Sequence, residues 1–90
     1  MLHVVSHSPF THTTLNSCLK SIKADDQLLL IQDAVIACAT TLWSDLLFGI
    51  EVYVLQDDLI ARGLVNQSGL VVDMEGYVNL VAQYNSPLCW

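Results

Sequence analysis

Fixed positive charge is scarce in this chain: Lys20, Lys23 and Arg62 stand against nine acids, giving a formal charge of −6 in ninety residues. So few cations exclude a direct grip on a phosphate backbone, which clusters of lysine and arginine normally provide. Lys20 and Lys23 lie one helical turn apart and offer at most a local basic spot, or simply a solvated helix end. Charge of either sign is also low. Charged residues make up 13% against 53% hydrophobic, about half the usual charged share, so a ninety-residue domain cannot cover its whole exterior with charge. Some apolar surface is expected to meet a partner.

Long hydrophobic runs are missing as well. Stretches such as Leu28 to Ile31 fall far short of the roughly 20 apolar residues that span a bilayer, and no basic start leads into a long apolar core as in a secretory signal. A cytoplasmic location and no membrane partner are the expectations. The three cysteines, Cys18, Cys38 and Cys89, are odd in number and form no CxxC pair, which speaks against a disulfide framework or a structural zinc site. No GxGxxG or GxxxxGK[ST] loop supports a nucleotide site, and no GxSxG elbow supports a triad built from Ser6 or Ser8, His7 and Asp33. His3, His7 and His12 lack the helical spacing of metal ligands. With no linker, low-complexity tract or repeat, residues 1–90 read as one domain, and neither cofactor nor metal is expected.

What remains is a regular alternation. Leu2-His3-Val4-Val5 reads as a first strand, followed by a polar loop through Pro9 to His12. Thr13 or Thr14 is placed to cap a helix whose Leu15, Cys18, Leu19 and Ile22 keep the rhythm of a buried stripe, and Asp25-Asp26 turns the chain. Leu28-Leu29-Leu30-Ile31 has the continuous apolar character of a strand covered on both faces. Asp33 then caps a second helix of small residues, Ala34 to Ala39. The Thr40 to Gly49 segment is harder to assign, but Trp43, Leu46, Leu47 and Phe48 form a dense apolar group expected to contribute to an interface.

Val52-Tyr53-Val54-Leu55 is a further strand. It feeds Asp57-Asp58-Leu59-Ile60-Ala61-Arg62-Gly63, with acids at the positive end of a short helix and a glycine to stop it. Leu70-Val71-Val72 is a short strand, Tyr77, Leu80, Val81 and Tyr84 recur at helical spacing, and Asn85-Ser86-Pro87 breaks the helix before the tail Leu88-Cys89-Trp90. Strands and helices in this order give an α/β fold, a mainly parallel sheet with helices on both faces. Its chemistry belongs beyond the carboxyl ends of the strands, at Ser6 to Phe10, Gln32-Asp33, Gln56 to Asp58 and Asp73 to Gly76.

Sulfur chemistry would need a thiolate. Cys18 is the candidate persulfide carrier, although its place on the apolar stripe suits a small buried hydrophobe equally well. Cys38, among alanines, reads as packing, and Cys89 has no basic neighbour to activate it.

Several segments in their order resemble the TusB/DsrH family over essentially the whole chain: Met1-Leu2-His3, Ser8-Pro9-Phe10, Leu28 to Asp33, Val52 to Leu55 with Asp58 to Gly63, Asp73 with Tyr77-Val78, and the closing Trp90. The resemblance implies a three-layer, DsrE-like α/β/α fold and a place as the smallest subunit of a TusBCD-type or DsrEFH-type heterohexamer, beside TusC/DsrF-like and TusD/DsrE-like subunits. In the tRNA branch such a complex takes persulfide sulfur from TusA and passes it to TusE for 2-thiolation of the wobble uridine by MnmA; in the sulfur-oxidation branch it exchanges sulfur with a DsrC-type protein. The carrier cysteine belongs to the TusD/DsrE-like partner. Cys18 matches a cysteine present in DsrH-type members and absent from some TusB members, so the resemblance implies an accessory, structural or regulatory subunit, with Cys18 an optional carrier. Asp58 and Arg62 become candidate docking residues alongside the Trp43 to Phe48 group. Without its partners the chain is expected to be able to form a homo-oligomer.

Overall fold

The computed structural model describes residues 1–84 and 87–90. Five strands form one sheet: β1 (Leu2–Val5), β2 (Gln27–Leu30), β3 (Glu51–Leu55), β4 (Leu70–Val72) and β5 (Leu88–Cys89). They lie in the order β4-β3-β2-β1-β5, and every pairing is parallel. Helices α1 (Thr14–Ser21), α2 (Thr41–Leu47), α3 (Gln56–Ala61) and α4 (Met74–Gln83), with a 3-10 helix at Gln32–Ala39, make the connections.

The order explains where the helices go. From β1 to β4 the chain steps steadily across the sheet, so right-handed crossovers put every intervening helix on one face. The return from β4 to β5 runs in the opposite sense and delivers α4 to the other face. Side-chain alternation agrees. Val5, Leu28, Leu30, Val52 and Val54 point into a core with Leu15, Cys18, Val35, Cys38, Trp43, Leu47 and Leu59, whereas Leu2, Val4 and Leu29 point into a smaller core beneath Tyr77, Leu80 and Tyr84.

Local structure departs from the sequence expectations in several places. Neither Thr13 nor Thr14 caps α1: Thr13 holds the cap position without a side-chain hydrogen bond, and the Thr14 hydroxyl is buried without a partner. The expected turn at Asp25-Asp26 is present, closed by the Asp26 N–H donating to the Lys23 carbonyl at 3.0 Å. Asp33 does not cap a second α-helix. The segment is a 3-10 helix with extended Ile31 at its cap and no side-chain bond there, and the Asp33 carboxylate is drawn to Arg62 instead. The sequence suits this tighter winding, because Ala34 with Ala37 and Val35 with Cys38 are buried pairs three residues apart, which eclipse in a 3-10 helix.

The hard-to-assign segment resolves into α2. Gly63 does end α3 in the left-handed region, at φ +64°. Asp73 caps α4, its Oδ1 accepting the Gly76 N–H at 2.8 Å. The expected core face of α4 is shallower than its periodicity suggests: Tyr77, Leu80 and Tyr84 are half-buried and no residue of the helix is fully buried. The apolar tail proves to be a fifth strand, whereas the expected break at Asn85-Ser86 lies outside the described residues.

Candidate functional site

The carboxyl ends of β1, β2 and β3 meet at one rim, and its geometry follows from a single arginine. Arg62 ends α3, where a cation complements the helix dipole. Its guanidinium reaches Asp33 Oδ1 through Nε at 3.0 Å and Nη2 at 2.9 Å, and Asp58 Oδ1 through Nη1 at 3.4 Å. Asp58 also accepts the backbone N–H of Gln32 through Oδ2 at 2.6 Å. Gln32 needs that bond, because it leaves β2 at φ +50°, a conformation a side-chain-bearing residue seldom adopts.

Beside this brace lies a cleft of about 260 Å³ lined by Ser8, Asp33, Ile36, Arg62 and Leu64. Its chemistry is limited. Arg62 is committed to two carboxylates, and the Ser8 hydroxyl oxygen accepts the Phe10 N–H at 3.2 Å. His7 packs on His12 with ring centroids 4.5 Å apart, and His12 bonds Thr11, so among the described residues no serine–histidine hydrogen bond supports a triad. Asp58 and Arg62, expected to dock a partner, bond each other and the start of the 3-10 helix. They fasten α3 to the 3-10 helix.

The thiols are placed unfavourably for exchange. Cys18 and Cys38 are both fully buried in the larger core. Burial pushes the Cys18 thiol up to about 11, helped by the negative charge of Asp26, and burial pushes Cys38 up to about 11 as well. Cys89 is exposed on the edge strand β5.

The three histidines divide rather than converge. His3 is only 2% exposed. Its Nε2 lies 2.8 Å from Asp26 Oδ2, and its Nδ1 lies 3.1 Å from the Trp90 indole nitrogen. An indole N–H can only donate, so Nδ1 is the acceptor and the ring proton sits on Nε2, donating to Asp26. Asp26 also accepts the Lys23 N–H and the Met1 ammonium. The His3 bond first, then these two, hold its carboxyl well below the usual carboxylate range. Among the described residues no group of three or more side chains is placed to hold a metal ion. The His3, Asp26 and Trp90 cluster was not predicted from the sequence; the markers at the two chain ends were its only signal.

The apolar group from Trp43 to Phe48 is divided by α2. Trp43 and Leu47, at 6% and 4% exposure, belong to the domain's own core rather than to an interface, because residues four apart share the inward face of the helix. Leu46 and Phe48, at 56% and 89%, remain outside. Further exposed apolar residues not predicted from the sequence are Leu70 and Val71 of the edge strand β4, which point to opposite faces of the sheet, and Met74 and Val78 of α4.

A family model described as DsrH-like protein matches residues 7–86. The chain is 38% identical to protein TusB of Yersinia pestis (strain Pestoides F) and to protein TusB of Yersinia pseudotuberculosis serotype O:1b (strain IP 31758), in each case over 96 aligned positions that cover 100% of both chains. The chain belongs to the TusB/DsrH family. The solution NMR structure of protein Tm0979 from Thermotoga maritima, 23% identical, superposes with a TM-score of 0.70 over 94% of each chain and shares the fold of this TusB/DsrH member. Within this family member, then, the rim holds a braced arginine, the larger core holds two protonated thiols, and no helix among the described residues is long and apolar enough to cross a membrane.

Proposed function

We propose that this chain is a non-carrying subunit of a cytoplasmic sulfur-relay complex of TusBCD type, supporting 2-thiolation of the tRNA wobble uridine. The observation that carries the reading is the similarity to TusB proteins along the whole of both chains. The geometry supports the non-carrying part. A thiol held at about 11 is thiolate in only about one molecule in ten thousand near neutral pH, and Cys18 is closed off from any donor besides. Persulfide sulfur passes instead through a cysteine of a TusD-like partner. The sulfur-oxidation alternative, in which Cys18 carries sulfur within a DsrEFH-type complex, draws no support from that buried thiol.

Membership of a heterohexamer with TusC-like and TusD-like subunits fits the exposed apolar side chains. Leu46 and Phe48 at the end of α2, and Leu70, Val71, Met74 and Val78 around β4 and α4, are the surfaces that association would cover. The acidic balance fits a subunit that leaves RNA contact to others. Co-expression with TusC-like and TusD-like subunits tests the reading. The three should purify together and restore 2-thiouridine in a strain lacking its own TusB, and a complex that thiolates tRNA fully without this chain would refute it.

A further inference from the structure

The cluster around His3 joins parts of the chain that are far apart in sequence. Trp90 donates to His3 across 87 residues, and its backbone N–H donates to the Val4 carbonyl at 2.8 Å. Between them these bonds do much to seat β5, a strand that pairs with β1 only at His3 with Leu88 and Val4 with Cys89. The Leu88 and Cys89 side chains are exposed and fix little, whereas the Trp90 ring packs against the larger core.

We propose that His3 is a proton-operated latch for β5. The bond from Trp90 exists only while Nδ1 is an acceptor. A proton taken up at Nδ1 turns the neutral imidazole into an imidazolium and sets two N–H donors against each other, so the indole is expelled. The other side of the ring responds in the opposite sense. Nε2 keeps its proton, and its bond to Asp26 becomes charge-assisted and stronger. Asp26 remains ionised throughout, since its folded carboxyl titrates well below the usual range. One proton therefore releases the carboxyl-terminal strand while tightening the contact between β1 and the turn before β2.

Among the described residues, the charged and titratable groups that these contacts place around His3 are Asp26, the Met1 ammonium bound to it at 3.1 Å, and the Cys18 thiol of α1, which the Asp26 charge helps keep protonated. Release of β5 would turn β1 from an interior strand into a sheet edge, with the Val4 carbonyl free to accept another strand.

Amide hydrogen exchange followed by NMR tests the latch. Protection factors, corrected for intrinsic exchange, are measured for the Trp90 indole and backbone N–H from about pH 8 to about pH 5, where imidazoles ordinarily titrate. The Trp90 protection is expected to fall about tenfold with acidification, the loss of roughly one net hydrogen bond, while β2 and β3 amides hold theirs. His3→Gln, whose amide still donates to Asp26 but cannot take up a proton, is expected to abolish the pH response. Trp90→Phe is expected to leave β5 weakly protected at every pH. Flat Trp90 protection in the wild-type protein overturns the latch, as does a full acid response in either variant.

Discussion

The two faces of the sheet are built to different depths. On one, α1, the 3-10 helix, α2 and α3 bury a continuous core from Val5 to Leu59. On the other, α4 alone covers Leu2, Val4 and Leu29 and buries none of its own residues fully. Topology is the cause, since four of the five connecting helices fall on one side. The lesson concerns what each face is for. The thick face encloses Cys18 and Cys38 in its core and leaves Leu46 and Phe48 exposed at the end of α2, whereas the thin face leaves Leu70, Met74 and Val78 outside.

The largest test of that contrast is truncation on each side. Leu30→Ala on the thick face should cost about 2–5 kcal/mol, because a fully buried leucine leaves a cavity. Leu80→Ala on half-buried α4 should cost about 1 kcal/mol. Denaturant midpoints at unchanged slope measure both, and equal costs would remove the asymmetry. Next comes alkaline stability. Cys18 and Cys38 keep their protons up to about 11 in the folded state, whereas unfolded thiols ionise near pH 8.5. The unfolded state thus binds fewer protons between those limits, and stability must fall as pH rises. The expected loss is on the order of 3 kcal/mol per thiol, and a Cys18→Ala/Cys38→Ala double variant should flatten most of that slope in pH-dependent unfolding.

Smaller effects separate the helix ends. Gly63→Ala strains a left-handed position at the end of α3 and should cost about 1 kcal/mol. Asp73→Ala removes the cap of α4 at about 1 kcal/mol, with the added signature that exchange rises along α4, where little burial resists local opening. Least of all, Val78→Asp should change the stability of the isolated chain by no more than about 0.5 kcal/mol. The same variant should abolish co-purification with TusC-like and TusD-like subunits. Intact assembly would assign the thin face some other use.

The strands β1 to β4 were legible in the sequence because apolar runs such as Leu28 to Ile31 have few other uses. Gly63 was legible because its chemistry matches its conformation. The winding of Gln32–Ala39 was not, since small residues suit a 3-10 helix and an α-helix alike, and the bonds of Arg62 to Asp33 and of Gln32 to Asp58 are tertiary. Trp43 and Leu47 could not be separated from Leu46 and Phe48 until α2 had bounds. β5 is too short for periodicity to reveal, and its seat on His3 joins opposite ends of the sequence. Cys18 was readable only as a choice between core and carrier, which its burial bears on directly.

That choice can be decided in the reconstituted complex. With every thiol of this chain replaced by alanine, at Cys18, Cys38 and Cys89, sulfur transfer from the donor persulfide through TusC-like and TusD-like partners to the acceptor should keep its wild-type rate. Loss of transfer in a variant that still folds and assembles would make this chain a carrier.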